Sequence, residues 1–329
     1  ISHAAPTGSH RSDPRRDPTA DTMQFLTRRP GTAYLDNWLW LPKSYFSVSH
    51  IAATLTYESH RGDAIEAWEE TPHHFKVPRN FLEPGALAGL PFPVVDARFT
   101  DFPSVDLHSR VTLDSQDPTK SFQRDGSAAL LAAHDGILSL RCGAGKTVVA
   151  LHTAAQLRVP ILVVVGDKGL ARQWMDEITE FLGVPANEIG RIGGDGSPFD
   201  WKHDITVALV QTLAKRAIAG TLPAELTQHF GVVLLDEAHI MGAPYFNTAI
   251  PPFHGRRWGL SATPTRDDGF DSLLQRTVGH VVYSYLVPDM MPMVYFRRLP
   301  TKVPPESTKF TRDKRGEFHF GKKIGRAHV

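Results

Sequence analysis

The sequence predicts an α/β fold in which helices cover both faces of a parallel sheet, preceded by a small, mostly β domain. After residue 119, short apolar runs alternate with segments of helical periodicity, as in the strand 161–165 and the amphipathic helix 169–182 that follows it. The run 161–165 is apolar and largely β-branched, which is typical of a strand buried on both faces. Ligands of such sheets bind at the carboxyl ends of the strands, so we expect the functional residues there.

Length and composition limit the alternatives. The 329 residues allow two or three domains, and 41% hydrophobic with 22% charged residues is typical of a soluble globular protein. The net charge of +1 neither favours nor excludes a polyanionic partner. No apolar run approaches the ~20 residues that a membrane span needs. The single cysteine, Cys142, excludes an intrachain disulfide and favours a reducing compartment.

Composition divides the chain into four regions. We predict a disordered leader over residues 1–22, the small β accessory domain over 23–118, the α/β domain over 119–287, and a linker with the truncated start of a further domain over 288–329. In the accessory domain, the apolar segment 34–42 predicts one edge strand that ends at Pro42. We hypothesise that residues 323–329 are translated sequencing-adapter DNA. The alternative is an ordinary basic tail.

A glycine loop follows the apolar run 136–140 and precedes a helix. Gly143 and Gly145 allow backbone N–H groups to turn towards a polyphosphate, and Lys146 and the Thr147 hydroxyl suit its outer phosphates and a Mg²⁺ ion. The predicted ATP-binding residues of the loop are Gly143, Ala144, Gly145, Lys146 and Thr147. Leu140 stands where the strict pattern has glycine, so a chance glycine turn is the alternative.

A second chemical motif follows the buried apolar run 232–235. Asp236 ends this run and is predicted to bind Mg²⁺ together with Thr147. Glu237 is predicted to be the base that orients the attacking water. An acidic pair at a strand end is also common as a helix N-cap, which is the alternative interpretation.

Three segments in this order resemble the first three motifs of superfamily 2 helicases: Cys-Gly-Ala-Gly-Lys-Thr at 142–147, Asp-Glu-Ala-His at 236–239 and Gly-Leu-Ser-Ala-Thr-Pro-Thr-Arg at 259–266. The chain is most similar to the DEAH-bearing branch of repair translocases and phage-type remodelling helicases, which tolerates a non-glycine residue at the position of Leu140. The resemblance covers 121–285 and implies one RecA-like lobe that uses ATP and Mg²⁺ and binds nucleic acid, DNA in particular. It also implies the cytoplasm of a bacterial or phage-infected cell and leaves the oligomeric state open.

The resemblance assigns further residues. Gln123 corresponds to a glutamine that reads adenine, although a solvated helix glutamine is the alternative. It implies coupling residues that link hydrolysis to strand movement: His239, Ser261 and Thr263. It implies nucleic-acid contacts through backbone and side chains at helix starts: Gly166, Lys168, Gly169 and Thr212. We interpret Trp174 as a core residue rather than a base-stacking platform.

Motors of this superfamily have a second RecA-like lobe that carries an arginine finger. Nothing after Tyr285 resembles that lobe or its Gln-x-x-Gly-Arg-x-x-Arg motif. Because an arginine finger contributes on the order of 10³–10⁵ in rate, we expect residues 1–329 to bind ATP weakly and to hydrolyse it hardly at all. The intact protein is expected to be a motor.

The leading functional hypothesis is the N-terminal part of an ATP-dependent DNA helicase or translocase. A related alternative is the motor subunit of a restriction system. An alternative of another class is a nucleotide-gated nucleic-acid-binding module that does not translocate. A small-molecule P-loop kinase is disfavoured because it gives no reason for Ser261-Ala262-Thr263 or for the nucleic-acid-binding loop.

Overall fold

A five-stranded sheet of mixed pairing is the first structured region of the chain. The computed structural model describes residues 28–58, 64–83, 85–113, 120–196, 198–263 and 270–287. The first region contains β1 (Ala33–Leu35), β2 (Trp38–Pro42), α1 (Val48–Leu55), β3 (Thr56–Glu58), β4 (Ala64–Glu66), β5 (Glu69–Glu70), β6 (His74–Pro78) and β7 (Val94–Asp96). The sheet order is β5-β6-β2-β1-β7, and β3 pairs with β4 in a separate ribbon.

The prediction of a single edge strand over residues 34–42 is wrong. The Asp36 carboxylate accepts the backbone N–H of Trp38 at 2.7 Å, and the Asp36 N–H donates to the Trp38 carbonyl at 2.9 Å. This turn divides the segment into β1 and β2, and β2 lies inside the sheet between β6 and β1. An aspartate that closes a turn on its own backbone interrupts a strand without disturbing the apolar pattern on either side.

An eight-stranded sheet forms the centre of the region after residue 120. Its strands are β8 (Gly136–Leu140), β9 (Ile161–Val165), β10 (Gly190–Ile192), β11 (Phe199–Asp200), β12 (Ile205–Leu209), β13 (Val232–Leu235), β14 (Arg256–Ser261) and β15 (Val281–Tyr285). Their order is β11-β10-β12-β9-β13-β14-β8-β15, and every neighbouring pair is parallel except β10 and β11. The predicted parallel sheet is therefore confirmed, whereas β10 and β11 are too short to give a periodic pattern.

Helices cover both faces of this sheet, as predicted. They are α2 (Ser121–Ala132), α3 (Lys146–Ala155), α4 (Lys168–Leu182), α5 (Val210–Ile218), α6 (Ala224–His229), α7 (Ala238–Met241), α8 (Pro244–Asn247) and α9 (Asp271–Val278). One core contains the apolar side chains of α2, α3 and α4, and the other contains those of α5 to α9. Successive residues of β9 alternate between the two cores, which explains why the whole run is apolar.

A buried ion pair joins the five-stranded sheet to the large sheet. Arg79, next to β6, donates through Nε and Nη2 to the carboxylate of Asp135 at 2.7 and 2.6 Å. Asn80 donates to the same carboxylate at 3.0 Å. Burial raises the pKa of Asp135, but Arg79, His134 and Arg257 outweigh it, so the pKa lies well below its ordinary value.

Arg257 provides a second connection beside this pair. Its backbone N–H donates to Asp135 at 2.9 Å, and its buried guanidinium donates to the Asn37 carbonyl at 2.9 Å and to the Thr277 carbonyl at 2.9 Å. We call Arg79, Asp135 and Arg257 the amino-edge clamp. Asp135 directly precedes β8 and Arg257 is the second residue of β14. The clamp therefore holds the amino ends of strands whose carboxyl ends lead to the predicted site.

Several sequence-based predictions fall outside the described residues. These are the leader over 1–22, the boundary between 118 and 119, the linker and further domain over 288–329, and the hypothesis about residues 323–329. Within the part of the chain that the structure describes, no helix combines the length and apolar character needed to cross a membrane.

Candidate nucleotide site

The glycine loop connects β8 to α3, and its two glycines adopt left-handed backbone conformations. Gly143 has φ +75° and Gly145 has φ +82°, a region that residues with a side chain rarely enter. A Cβ added to Gly145 would lie 2.8 Å from Nε2 of Gln123. The backbone conformation therefore requires glycine at 145, and a side chain there would also displace the Gln123 amide. A loop of this kind can direct N–H groups at a phosphate.

Lys146 is the first residue of α3 and connects the two ends of the loop. Its Nζ donates to the carbonyl of Leu140 at 3.3 Å, so the ammonium group lies between the start of the helix and the end of β8. The Leu140 side chain is fully buried in the core, which explains an apolar residue at this position. The ammonium group and the positive end of the α3 dipole together suit an anionic ligand.

Gln123 on α2 contacts the loop directly. Its Nε2 donates to the Ala144 carbonyl at 2.9 Å, so it is not a freely solvated side chain. The neighbouring Phe122 stacks on Tyr285 with ring centroids 4.3 Å apart and an interplanar angle of 3°. This stacking connects α2 to β15 and keeps Gln123 beside the loop. The adenine-reading role of Gln123 stays a prediction.

Asp236 follows β13, at the same edge of the sheet as the glycine loop. β14 separates β13 from β8, so two strand spacings of about 4.8 Å each, or ~10 Å, lie between the two strands. The carboxylate is 8% exposed and both of its oxygens have donors. Oδ1 accepts the backbone N–H of Glu237 at 3.0 Å, and Oδ2 accepts the indole N–H of Trp174 at 2.8 Å.

Glu237 adopts a left-handed conformation, with φ 46° and ψ 56°, at the start of α7. A residue with a side chain in this region is strained, and such strain is frequent at functional sites. Its Oε2 lies 3.3 Å from Nδ1 of His239, which lies 3.5 Å from Oγ of Ser261. The same Oγ accepts the backbone N–H of Thr263 at 3.1 Å. The predicted base and the three predicted coupling residues thus form one connected group.

The oxygen donors at this edge fit a magnesium ion. Thr147 follows Lys146 in the first turn of α3, and Asp236 supplies the carboxylate. Mg²⁺ prefers hard oxygen ligands and usually takes one or two protein groups together with water and substrate phosphates. Among the described residues, no group of three or more His, Cys, Asp or Glu side chains could hold a metal ion by itself.

The residues predicted to contact nucleic acid lie at the ends of two neighbouring strands. Gly166 follows β9, Lys168 and Gly169 begin α4, and Thr212 lies in the first turn of α5 after β12. Gln211 donates to the Gly166 carbonyl at 2.5 Å, which brings the two segments into contact. The structure therefore brings these four residues together, at the same edge as the glycine loop.

A shallow basic groove adjoins this segment, and the sequence analysis missed it. Its cavity of about 100 Å³ is lined in part by Lys168, Arg172, Arg191 and the Gly193-Gly194 turn. Asp195 pairs with Lys168 at 2.5 Å and with Arg172 at 3.3 Å. Lys168 lowers the pKa of the Asp195 carboxyl. The paired glycines after Ile192 were the available sequence indication, because two adjacent glycines mark a turn.

Comparison with known proteins identifies related chains for the second region. Residues 117–266 match the family described as "Type III restriction enzyme, res subunit". The chain is 30% identical over 152 residues to DNA 3'-5' helicase XPB of Mycobacterium tuberculosis, covering 46% of this chain and 27% of the relative. It is 33% identical over 172 residues to DNA 3'-5' translocase XPB2 of Sulfurisphaera tokodaii, covering 52% and 36%. The chain thus spans roughly a quarter to a third of these relatives.

Solved structures support the fold. The UvsW helicase of bacteriophage T4 matches with a TM-score of 0.51 and 16% identity, covering 76% of this chain and 98% of that chain. A second structure of T4 UvsW matches with a TM-score of 0.52 and 17% identity, covering 76% and 56%. At these identities the likeness concerns the fold alone.

Proposed function

We propose that residues 117–266 form a RecA-like lobe of a superfamily 2 helicase or translocase, and that this chain is the ATP-binding portion of an ATP-dependent DNA helicase or translocase; the matching family and the two named relatives support this proposal. One observation carries the proposal. Three neighbouring parallel strands, β8, β14 and β13, lead at one edge of the sheet to the glycine loop, to Ser261 and Thr263, and to Asp236 and Glu237. The residues proposed to bind the nucleotide, to hydrolyse it and to couple hydrolysis to movement could therefore all act on one bound nucleotide.

In this proposal, the loop and Lys146 bind the phosphates. Backbone N–H groups near Gly143 and Gly145 contact the phosphate oxygens, while the Lys146 ammonium leaves the Leu140 carbonyl for the outer phosphates. Thr147 and Asp236 would hold Mg²⁺, which would supply positive charge to the phosphates. Glu237 orients the attacking water and accepts its proton.

The group of Glu237, His239, Ser261 and Thr263 couples hydrolysis to movement. His239 lies between the base and Ser261, at 3.3 and 3.5 Å. A change in what Glu237 contacts therefore changes the partner available to His239 and, through Ser261, the position of the Thr263 backbone. Supporting this, all four residues follow or end two adjacent strands and need no large displacement to interact.

Nucleic acid binds at the helix starts beside this edge. Gly166, Lys168, Gly169 and Thr212 would hold backbone phosphates through N–H groups, a hydroxyl and one ammonium group, independently of sequence. On binding, phosphate would replace the Asp167 carboxylate at the Gly169 N–H and Asp195 at the Lys168 ammonium. The basic groove next to Lys168 extends this surface. DNA is proposed as the partner because the relatives from M. tuberculosis and S. tokodaii are named a DNA helicase and a DNA translocase.

The motor subunit of a restriction system is a second candidate, favoured by the name of the matching family. Both candidates use the same lobe. They differ in whether a nuclease acts with the motor, which the complete reading frame decides. The nucleotide-gated binding module, without translocation, is a further alternative, and a variant of Glu237 tests it.

Replacing Lys146 by Ala should weaken Mg·ATP binding to the 329-residue chain about ten- to hundredfold, because a charge-assisted contact with phosphate contributes about 1.5–3 kcal/mol. Titration with a fluorescent ATP analogue measures this. Lys202→Ala is the matched control, since Lys202 is exposed and precedes β12 at the opposite edge of the sheet. Equal affinities for the Lys146 variant and wild type would refute the nucleotide site.

DNA affinity should fall steeply with salt, and Lys168→Ala should reduce the slope of log K against log salt by about one. Fluorescence anisotropy with duplex DNA at several salt concentrations measures the slope, and Lys202→Ala should leave it unchanged. A wild-type slope in the Lys168 variant would contradict the proposed contact. Tighter binding to RNA of the same sequence at equal salt would replace DNA by RNA as the partner.

A further inference from the structure

We propose that Trp174 is a positioning residue for the magnesium carboxylate: its indole N–H fixes Asp236 and connects that carboxylate to α4, the helix that begins at the proposed nucleic-acid contacts. The inference rests on the proposed function, because it takes Asp236 as a Mg²⁺ ligand. Trp174 and Asp236 lie 62 positions apart in the sequence, so the contact is made only by the fold.

This hydrogen bond gives a partner to two buried polar groups. Trp174 is 1% exposed and its Nε1 lies 2.8 Å from Oδ2 of Asp236. Burying a carboxylate or an indole N–H without a hydrogen-bond partner destabilises the folded chain. Since Oδ1 accepts the Glu237 N–H at 3.0 Å, the two donors together fix the plane of the carboxylate. Removal of the indole N–H leaves the carboxylate free to rotate.

Burial alone does not explain this hydrogen bond. Trp258 on β14 is also fully buried and belongs to the same core as Trp174. Yet its Nε1 has no hydrogen-bond partner among the described residues. The core thus tolerates a tryptophan that serves only packing. Trp258 is therefore a matched control in which the same change removes packing without touching a carboxylate.

The position of Trp174 on α4 connects the Asp236 carboxylate to the proposed nucleic-acid contacts at the start of that helix. The helix begins with Asp167 as its N-cap, whose carboxylate accepts the N–H groups of Gly169 and Leu170 at 2.6 and 3.0 Å. From Lys168 to Trp174 a continuous helix advances about 9 Å. A movement of its amino end on binding nucleic-acid phosphate is therefore transmitted to the indole and to Asp236. Trp174 acts through Asp236 and does not touch substrate.

Trp174→Phe keeps most of the ring volume and removes the donor. The Mg²⁺ concentration that half-saturates ATP binding to the 329-residue chain should rise about tenfold, as is typical when a group that orients a metal ligand is lost. Binding of ATP without Mg²⁺, measured in EDTA, should be unchanged. Trp258→Phe should alter neither quantity. If both tryptophan variants show the same Mg²⁺ dependence as wild type, the inference is wrong.

Asp236→Asn separates this inference from the proposed function. If it leaves the Mg²⁺ dependence of wild type, the metal assignment itself fails. If Asp236→Asn raises the Mg²⁺ concentration that half-saturates ATP binding and Trp174→Phe behaves like Trp258→Phe, only the role of Trp174 fails.

A second measurement needs no folded Trp174 variant. In a spectrum of ¹⁵N-labelled chain, two of the 6 tryptophan indole signals should lie downfield, because Trp174 donates to Asp236 and Trp40 donates to Asp36. Asp236→Asn should move one of these two signals upfield and leave the other in place. Six indole signals that all stay in place on Asp236→Asn would overturn the proposal.

Discussion

Replacing Glu237 by Gln in the full-length protein should lower the rate of nucleic-acid-stimulated ATP hydrolysis about 10²–10⁴-fold, the range attributed to a positioned base. Gln has the same length and can adopt the backbone conformation at φ 46° no less easily than Glu. ATP binding should therefore stay within about threefold of wild type, because the proposed phosphate contacts come from the loop and Lys146. Steady-state phosphate release and equilibrium titration with ATP measure the two quantities separately.

Glu225→Gln is the control for this variant, since Glu225 is exposed on α6. It should hydrolyse ATP like wild type. Strand displacement or translocation by the Glu237 variant distinguishes the functional classes. A motor loses it completely, whereas a nucleotide-gated binding module keeps its whole function. Wild-type turnover in the Glu237 variant would show that another group activates the water.

The position of the candidate nucleotide site at the carboxyl ends of β8, β14 and β13 could be predicted from the sequence, because its residues follow a rule of topology. Lys146 and Asp236 each come directly after a buried apolar run, and the ends of parallel strands share an edge. The place of each residue at the end of its own strand was thus enough to predict that residues 90 positions apart lie at one edge of the sheet. Gly166 and Thr212 were assigned by the family resemblance, and they too follow neighbouring strands, β9 and β12.

Contacts between side chains of distant elements could not be predicted in this way. Trp174 has the sequence pattern of a core residue, and burial confirms that interpretation, but nothing in the pattern indicates that its N–H faces Asp236. Arg79 is one basic residue in a segment rich in prolines and acidic residues. Its partner Asp135 precedes β8, in the region predicted to be another domain. A buried ion pair leaves no periodic trace in either segment.

Replacing Arg79 by Met should destabilise the chain by about 3–5 kcal/mol, the cost of removing one partner from a buried ion pair. The Arg79 side chain is 2% exposed, and besides Asp135 it donates to the carbonyls of His254 and Gly255 at 3.1 and 2.8 Å. Met fills similar volume but removes the positive charge beside Asp135 and the Arg79 donor to these two carbonyls. Urea unfolding followed by tryptophan fluorescence measures the change in free energy.

Arg98→Met is the matched control, because Arg98 pairs with Asp96 at 2.5 Å where the carboxylate is 54% exposed. A surface pair contributes about 0–1 kcal/mol, so this variant should unfold nearly like wild type. If the two variants lose equal stability, the clamp is not the stabilising connection between the two sheets.

The clamp also predicts the response to acid. The pKa of Asp135 is lower in the folded chain than in the unfolded chain, where it is about 3.9, so the unfolded state binds more protons. The stabilisation is therefore present above pH 4 and decreases as the pH falls towards the folded value, by about 1 kcal/mol from pH 5 to pH 3 for this one group. In Arg79→Met, burial acts on Asp135 without its main opposing charge, so this loss should shrink or reverse. An unchanged pH slope in the variant would mean that Asp135 does not owe its low pKa to Arg79. Asp135 and Arg257 hold the amino ends of β8 and β14. The glycine loop with Lys146 follows the carboxyl end of β8, and Ser261 ends β14. A weaker clamp should therefore also increase the mobility of the two strands that position these residues.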